Sequence, residues 1–392
     1  MKILIINSGS SSLKFQVFDD LEVLALWQIE RIWYEDSIVS YQRTWETKNK
    51  TIQPIKNHHE ALNIVLQNIT NQDIWILESI QKIDAVWHRV VHGWEYFPKP
   101  VLITDEVIQK IEKLSDLAPL HNPANLMWIQ VCKELLSSPQ IAVFDTSFHQ
   151  TLLPESYLYS LPKKYYKKYK LRRYWFHWIS HQYIRESISD ILKNKNAKII
   201  SCHVGNWASV AAIKWWKVIA TSMWFTPLEW LTMGTRSGDI DPGALLFLME
   251  KENLNPKEMT NLLNKESGVL WLTWYSGDLR DIEDGHIAQQ EIETLVMNIY
   301  INQIVKYIGA YYTLMWGCDA IVFTAGVMEN SPYMRALVAE KLSCLWIEYD
   351  KELNDCRGKK ICISTENSKT PLRVIPTNEE WLIAREVKEI LS

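Results

Sequence analysis

Two turns rich in serine, glycine and asparagine, NSGSSS at residues 7–12 and HVGNWAS at residues 203–209, each fall between apolar runs. A turn so placed can present backbone N–H groups and hydroxyls to a polyphosphate. The GxxxxGK[ST] pattern of a P-loop is absent. Taken singly, such turns are ordinary turns; their occurrence twice in one chain is what argues for phosphate. Around them stand polar islands at the ends of apolar runs: HRVVHGWEYF, APLHNPANL, VFDTSFH, RRYWFHWISH, MGTRSGDIDPG, SGDLRDIED, FTAGVMENSP and IPTNEE. α/β enzymes keep their chemistry at such places. Each island alone is equally a salt bridge or a helix cap, and Asp145 could simply cap the turn after its strand.

The elements that must position these residues follow from periodicity. KILIINSGSSSLKFQVFD reads as a β-hairpin, and KIISCHVGNWASVAAIKWWKVIATS repeats the plan about 195 residues later, with strands over 198–203, 209–214 and 217–222. An internal duplication is the simplest account. Further β-rich runs cover 83–91, 140–148, 319–327 and 372–377, and three- and four-residue apolar spacing predicts helices over 122–136 and 292–315. Strand clusters alternating with helices predict an α/β fold of two domains. The boundary, placed from the repeat, divides residues 1–149, to which 381–392 return, from a nucleotide-binding domain over 150–380.

Composition narrows the partners. The 392 residues are 47% apolar with a net charge of −4, which gives no electrostatic reason to expect nucleic acid or an anionic membrane. No signal peptide or run of about 18 apolar residues is present, so a cytoplasmic location is expected. The six cysteines form no CxxC pair and no zinc spacing, and read as free thiols. The basic, tyrosine-rich stretch KKYYKKYKLRRY invites a nucleic-acid reading, but a solvated face leading to RRYWFHW fits the acidic balance better.

In order and over nearly the whole chain, the islands resemble the acetate kinase family. The resemblance implies the actin-like, duplicated ribonuclease H-like fold, with the active site in the cleft between two domains. It also implies reversible transfer of the ATP γ-phosphoryl to acetate by a homodimer, with Mg²⁺, or Mn²⁺ in its place. Carried onto this chain, it puts Asn7, Ser10, Ser12 and Lys14 in the first phosphate hairpin and His203, Val204, Gly205, Asn206 and Trp207 in the second. It assigns Asn7, Asp145 and Glu379 to the metal, and Arg89, His121, His177 and Arg236, with Asp145, to catalysis. Val91, Leu120, Phe176 and Pro227, together with Arg89, would form the acetate pocket. Asp278, Leu279, Arg280, Gly326, Val327 and Asn330 would hold the nucleotide; Leu279 stands where the family usually has phenylalanine. These residue types suit phosphoryl transfer, which depends on positioning and on neutralising charge over the equatorial oxygens. A propionate or butyrate kinase is the enzymatic alternative.

One departure from the family is systematic. Glycine numbers only 13 and tryptophan 19; their sum, 32, is an ordinary glycine content. The family has glycine where this chain has Trp94, Trp175, Trp178, Trp207, Trp216, Trp224, Trp230, Trp271, Trp274 and Trp316, and also Trp87. A side chain costs about 1–2 kcal/mol wherever φ must be positive, and about 1–3 kcal/mol where it overpacks. Ten such sites would outweigh the roughly 5–15 kcal/mol of net stability of a domain, so the chain as written is not expected to hold the fold. A UGA codon read as glycine in the cell and written as tryptophan accounts for the pattern. Genuine tryptophans would instead imply an inactive nucleotide-binding protein.

Overall fold

The apolar alternation of the first twenty residues folds as the hairpin it predicts. Lys2–Ser8 (β1) pairs antiparallel with Ser12–Asp19 (β2), in register from Lys2 opposite Asp19 to Ser8 opposite Leu13. This computed structural model describes residues 1–392 except 9–11, 33–34, 45, 72–75, 116–120, 148–150, 175–176, 206, 227, 230 and 392, and leaves out the side chains of residues 8 and 12. The chain divides into two compact units, Met1–Gln150 with Asn378–Ser392, and Thr151–Thr377.

In the first unit the hairpin continues antiparallel through Glu22–Glu30 (β3), Ser37–Arg43 (β4) and Asn49–Gln53 (β5). On its other edge β1 runs parallel to Ala85–Val90 (β6). Past it, and after the short Val101–Leu102 (β7) in sequence, lies Gln140–Phe144 (β8), again parallel; β7 closes the edge. The order is β5-β4-β3-β2-β1-β6-β8-β7. The central strands β6 and β8 are almost wholly buried, as parallel strands covered on both faces must be. Leu4, Phe15, Val17, Trp27, Val86 and Trp128 join one core cluster of this unit, and Val90, Ala142 and Phe144 a second.

The second unit repeats this plan. Ile199–Val204 (β9), Ala208–Lys214 (β10) and Lys217–Thr221 (β11) are antiparallel neighbours. Ala320–Thr324 (β12) lies parallel to β9. Leu372–Val374 (β14), which Ile361–Cys362 (β13) precedes in sequence and flanks at the edge, lies parallel to β12. The order β11-β10-β9-β12-β14-β13 matches β3-β2-β1-β6-β8 of the first sheet strand for strand through its first five members. The duplication read from the two hairpins is therefore a duplication of whole sheets.

The expected helices form over Asn122–Leu135 and Glu291–Leu314. Three strands stop three or four residues short of expectation, and that over 372–377 ends at Val374. The run 319–327 stops at Thr324, because Ala325 turns the backbone at φ 69° into a helix over Ala325–Asn330. The run 140–148 stops at Phe144, after which Asp145 enters a turn.

The tryptophans meet the backbone as glycines would. Trp215 and Trp216 form the two-residue loop between Lys214 and Lys217, both at positive φ, 51° and 67°. That is the backbone of the tight hairpin turn that ordinarily demands Asn-Gly. Trp94, Trp274, Trp316 and Trp346 also have positive φ, between 55° and 69°. Trp87 and Trp178 are buried, and neither indole N–H has an acceptor among the described residues. Trp274, Trp316 and Trp346 are 75%, 90% and 68% exposed, so overpacking does not apply to them and the left-handed backbone alone is charged.

Candidate active site

Each unit gathers its own set of candidate side chains. In the first, Asn7 and Lys14 sit opposite each other across β1 and β2. Arg89, near the end of β6, faces Asp145 in the turn after β8, whose N–H donates to the Val90 carbonyl at 3.0 Å. The Arg89 guanidinium grips that carboxylate as a fork: Nε donates to Oδ1 at 2.9 Å and Nη2 to Oδ2 at 2.8 Å, while Nη1 reaches Asn7 Oδ1 at 3.4 Å. Burial pushes the Asp145 carboxyl upward and Arg89 pulls it back; burial likewise opposes the Arg89 charge, but Asp145 raises Arg89 overall and keeps it cationic. A two-pronged charge-assisted pair of this kind fixes geometry as well as charge.

The same unit pins the segment after β6. Asn125 Oδ1 accepts from the Val91 N–H at 3.1 Å, Asn122 Oδ1 from His92 at 3.0 Å, and Thr146 Oγ1 from Gly93 at 3.1 Å. His121 immediately precedes that helix, and its carbonyl accepts from the Asn125 N–H. Gly93 is compulsory, since a Cβ there would lie 2.5 Å from the Phe144 ring. Glu379 opens the helix Glu379–Leu391. Burial raises its carboxyl to about 7 against the pull of Arg89, with Glu380 and Asp145 adding to the rise. This surplus of negative charge is what a divalent cation would relieve. Among the described residues no three His, Cys, Asp or Glu side chains cluster to hold a metal. Mg²⁺ does not require such a cluster, because it keeps waters and phosphate oxygens and takes one or two carboxylates.

In the second unit His177 caps the helix Trp178–Leu192 with a left-handed backbone, φ 57°. Its Nδ1 is 2.9 Å from Ser209 Oγ on β10. Ser209 Oγ also lies 2.7 Å from His181 Nε2, and His181 Nδ1 lies 2.9 Å from Ser201 Oγ on β9. The His177 ring stacks on His203, centroids 4.2 Å apart, and His203 Nδ1 meets Ser180 Oγ at 2.8 Å. Arg236 lays its guanidinium over the Trp207 ring at 4.3 Å, and the His177 ring is 6.4 Å from the same indole. Burial lowers Arg236 to about 10, which leaves it charged at neutral pH. Gly268, at φ 75°, supports this loop: a Cβ would lie 2.7 Å from the Arg236 nitrogen.

The second hairpin turn converges with the segment after β12. His203 is paired with Thr324, and a Cβ on Gly205 would lie 3.8 Å from the Gly326 nitrogen. The turn thus opens at the carboxyl ends of neighbouring parallel strands, where α/β sheets bind ligands. Gly326, Val327 and Asn330 lie on the helix Ala325–Asn330, and Asn330 donates back to the Gly326 carbonyl. Asp278 caps the helix Leu279–Ile287 by accepting from the Arg280 N–H at 2.9 Å, and the Arg280 side chain folds onto it. Ser10, Leu120, Phe176, Asn206 and Pro227, and the side chain of Ser12, lie outside the described residues.

Sequence reasoning missed Glu329, whose carboxylate accepts from the N–H groups of Ala325 and Thr377 and so ties two loops together. It also missed the His181, Ser201 and Ser209 chain; the signal available was His181 four residues after His177, on one helix face. In the basic stretch the cations cover its own aromatic faces, with Lys168 4.7 Å over Tyr169 and Arg172 5.4 Å over Tyr174.

The model of the acetokinase family matches residues 2–385. The chain belongs to that family. Among acetokinase relatives, the acetate kinase of Thermoanaerobacter pseudethanolicus is 48% identical over 100% of this chain and 99% of its own length. That of Thermotoga maritima is 49% identical over the same shares. The crystal structure of Porphyromonas gingivalis acetate kinase superposes with a TM-score of 0.93 at 40% identity, covering all of both chains. A propionate kinase from Francisella tularensis gives 0.92 at 34% identity over 98% of each. No described helix is long and apolar enough to cross a membrane.

Proposed function

We propose that this chain is an acetate kinase, transferring the γ-phosphoryl of ATP to acetate and giving acetyl phosphate and ADP reversibly. The reading rests above all on the family match across residues 2–385, with relatives named acetate kinase at nearly half identity. An acetate oxygen attacks the γ-phosphorus in line, and the bond to the β–γ bridging oxygen breaks as ADP leaves. Acetate is ionised well below neutral pH and is already a nucleophile, so no general base is needed. Asp145, held by Arg89, orients that guanidinium instead of taking a proton. Arg89, Arg236 and His177 offset charge on the transferring group, and His121 and Val91 border the acetate. Asn7, Asp145 and Glu379 would hold Mg²⁺, which when bound neutralises charge on the β- and γ-phosphates. His203 to Trp207, and Asp278 to Arg280 with Gly326, Val327 and Asn330, would receive the nucleotide.

A homodimer is part of this reading. The helix Pro242–Lys251 has the apolar sequence PGALLFLMEK yet buries no residue, and Leu246 and Phe247 are 68% and 58% exposed. A second copy covering that face explains it. The test is acyl phosphate formation from Mg·ATP with acetate, propionate and butyrate. Acetate giving the highest kcat/KM is expected; higher kcat/KM with propionate or butyrate moves the assignment to that substrate. Binding of Mg·ADP with no acyl phosphate from any acid leaves a nucleotide-binding protein without activity.

A further inference from the structure

The buried chain behind His177 has a direction, and that direction decides which ring nitrogen carries the hydrogen. A hydroxyl owns one hydrogen, so Ser209 Oγ, within bonding distance of both His177 Nδ1 and His181 Nε2, gives to one ring and accepts from the other. Two orientations satisfy Ser209. In the first, Ser201 O–H donates to His181 Nδ1, His181 Nε2–H donates to Ser209, and Ser209 O–H donates to His177 Nδ1. In the second every bond reverses. Ser201 breaks the tie. It is fully buried on β9, and its Oγ has one partner among the described residues, His181 Nδ1. In the reversed orientation the Ser201 hydrogen has no acceptor, and a buried donor left unspent costs about 1–3 kcal/mol.

We propose that Ser201, His181 and Ser209 are positioning residues that lock neutral His177 as the Nε2–H tautomer, so that Nε2 is the hydrogen-bond donor to the transferring phosphoryl. The wrong tautomer would turn a lone pair toward phosphoryl oxygens and forfeit the interaction that matters only in the transition state. The strained φ of 57° at His177 fits this role, since it aims the ring at Ser209 at a local energetic cost. The proposal rests on the reading of His177 as a transition-state donor.

The decisive measurement is ¹⁵N NMR of the histidine rings in the full-length unliganded enzyme, assigned by a His177→Gln variant. A protonated Nε2 with a pyridine-type Nδ1 is expected for His177; the opposite pattern overturns the proposal without any variant having to fold. Kinetics give the second arm. Ser201→Ala and Ser209→Ala should each lower kcat about tenfold or more with KM for acetate and ATP little changed. His181→Gln, which keeps a donor at the Nε2 position, should retain most of the rate that His181→Leu loses. Wild-type kcat in both serine variants refutes the relay. Wild-type kcat in His177→Ala refutes instead the donor reading on which it stands, whatever the tautomer.

Discussion

Replacing Trp316 by glycine should stabilise the protein, an unusual expectation for removing a large aromatic residue. Trp316 follows the helix Glu291–Leu314 with φ 56°, and it is 90% exposed, so almost no apolar area is lost with the indole. Its carbonyl accepts from Lys198 Nζ, a bond any residue there can make. A Cβ in the left-handed region costs about 1–2 kcal/mol, and glycine's extra freedom in the unfolded chain returns roughly half of that, leaving a gain of about 0.5–1 kcal/mol. For a unit of this size that is a rise in melting temperature of about 1–4 °C. Trp316→Ala is the control: it removes the ring but keeps the Cβ, and should gain nothing. Thermal and urea unfolding of the three proteins decide the matter. If Trp316→Gly is no more stable than Trp316→Ala, the backbone at this position does not demand glycine and the argument from torsion fails.

The remaining predictions concern decoding, catalysis and pH. Peptides of the protein purified from its own cells should read glycine at positions 94, 207, 215, 216, 274, 316 and 346 by mass spectrometry; UGG codons there would end the recoding explanation. Arg236→Ala should lower kcat by about a hundredfold or more with the melting temperature held, and an undiminished rate would remove Arg236 from the site. Arg89→Ala is a poorer test, because it strands the Asp145 carboxylate in the interior and should cost about 3–5 kcal/mol of stability. Burial lowers His88 to about 4 from 6.5, with its Gln140 bond opposing. Unfolded chains therefore take up the proton first. The linked stability, about 3 kcal/mol, is complete above pH 6.5 and lost as pH falls toward 4. The melting temperature should drop across that window, and NMR titration of His88 near 6.5 in the folded protein would contradict it.

The hairpins and the parallel strands were legible because each carries its own period: alternation in KFQVFD, continuous burial in QIAVF. The pairing of Arg89 with Asp145 was not, since residues 56 apart meet only through the register of β6 with β8. The strand-to-helix turn at Ala325 was hidden for another reason. Nothing in FTAG announces a left-handed alanine; the contacts of Glu329 with Thr324 and Ala325 hold it there. The serine and histidine relay escaped because serines on a buried strand read as small core residues until the helix bearing His181 is laid beside them. The tryptophans worked in the opposite sense. Their composition alone raised the suspicion of glycine, and the torsions of Trp215, Trp216, Trp274 and Trp316 gave it a physical measure.

The helix Glu379–Leu391 belongs to the unit built from the first 150 residues, where Lys388 pairs with Asp20 at 2.9 Å. On the ribosome, the opening sheet must therefore wait, lacking its final helix and the carboxylate of Glu379, until the whole intervening unit has been made. A nascent chain halted before that point carries a first unit without this helix and without the Lys388–Asp20 pair.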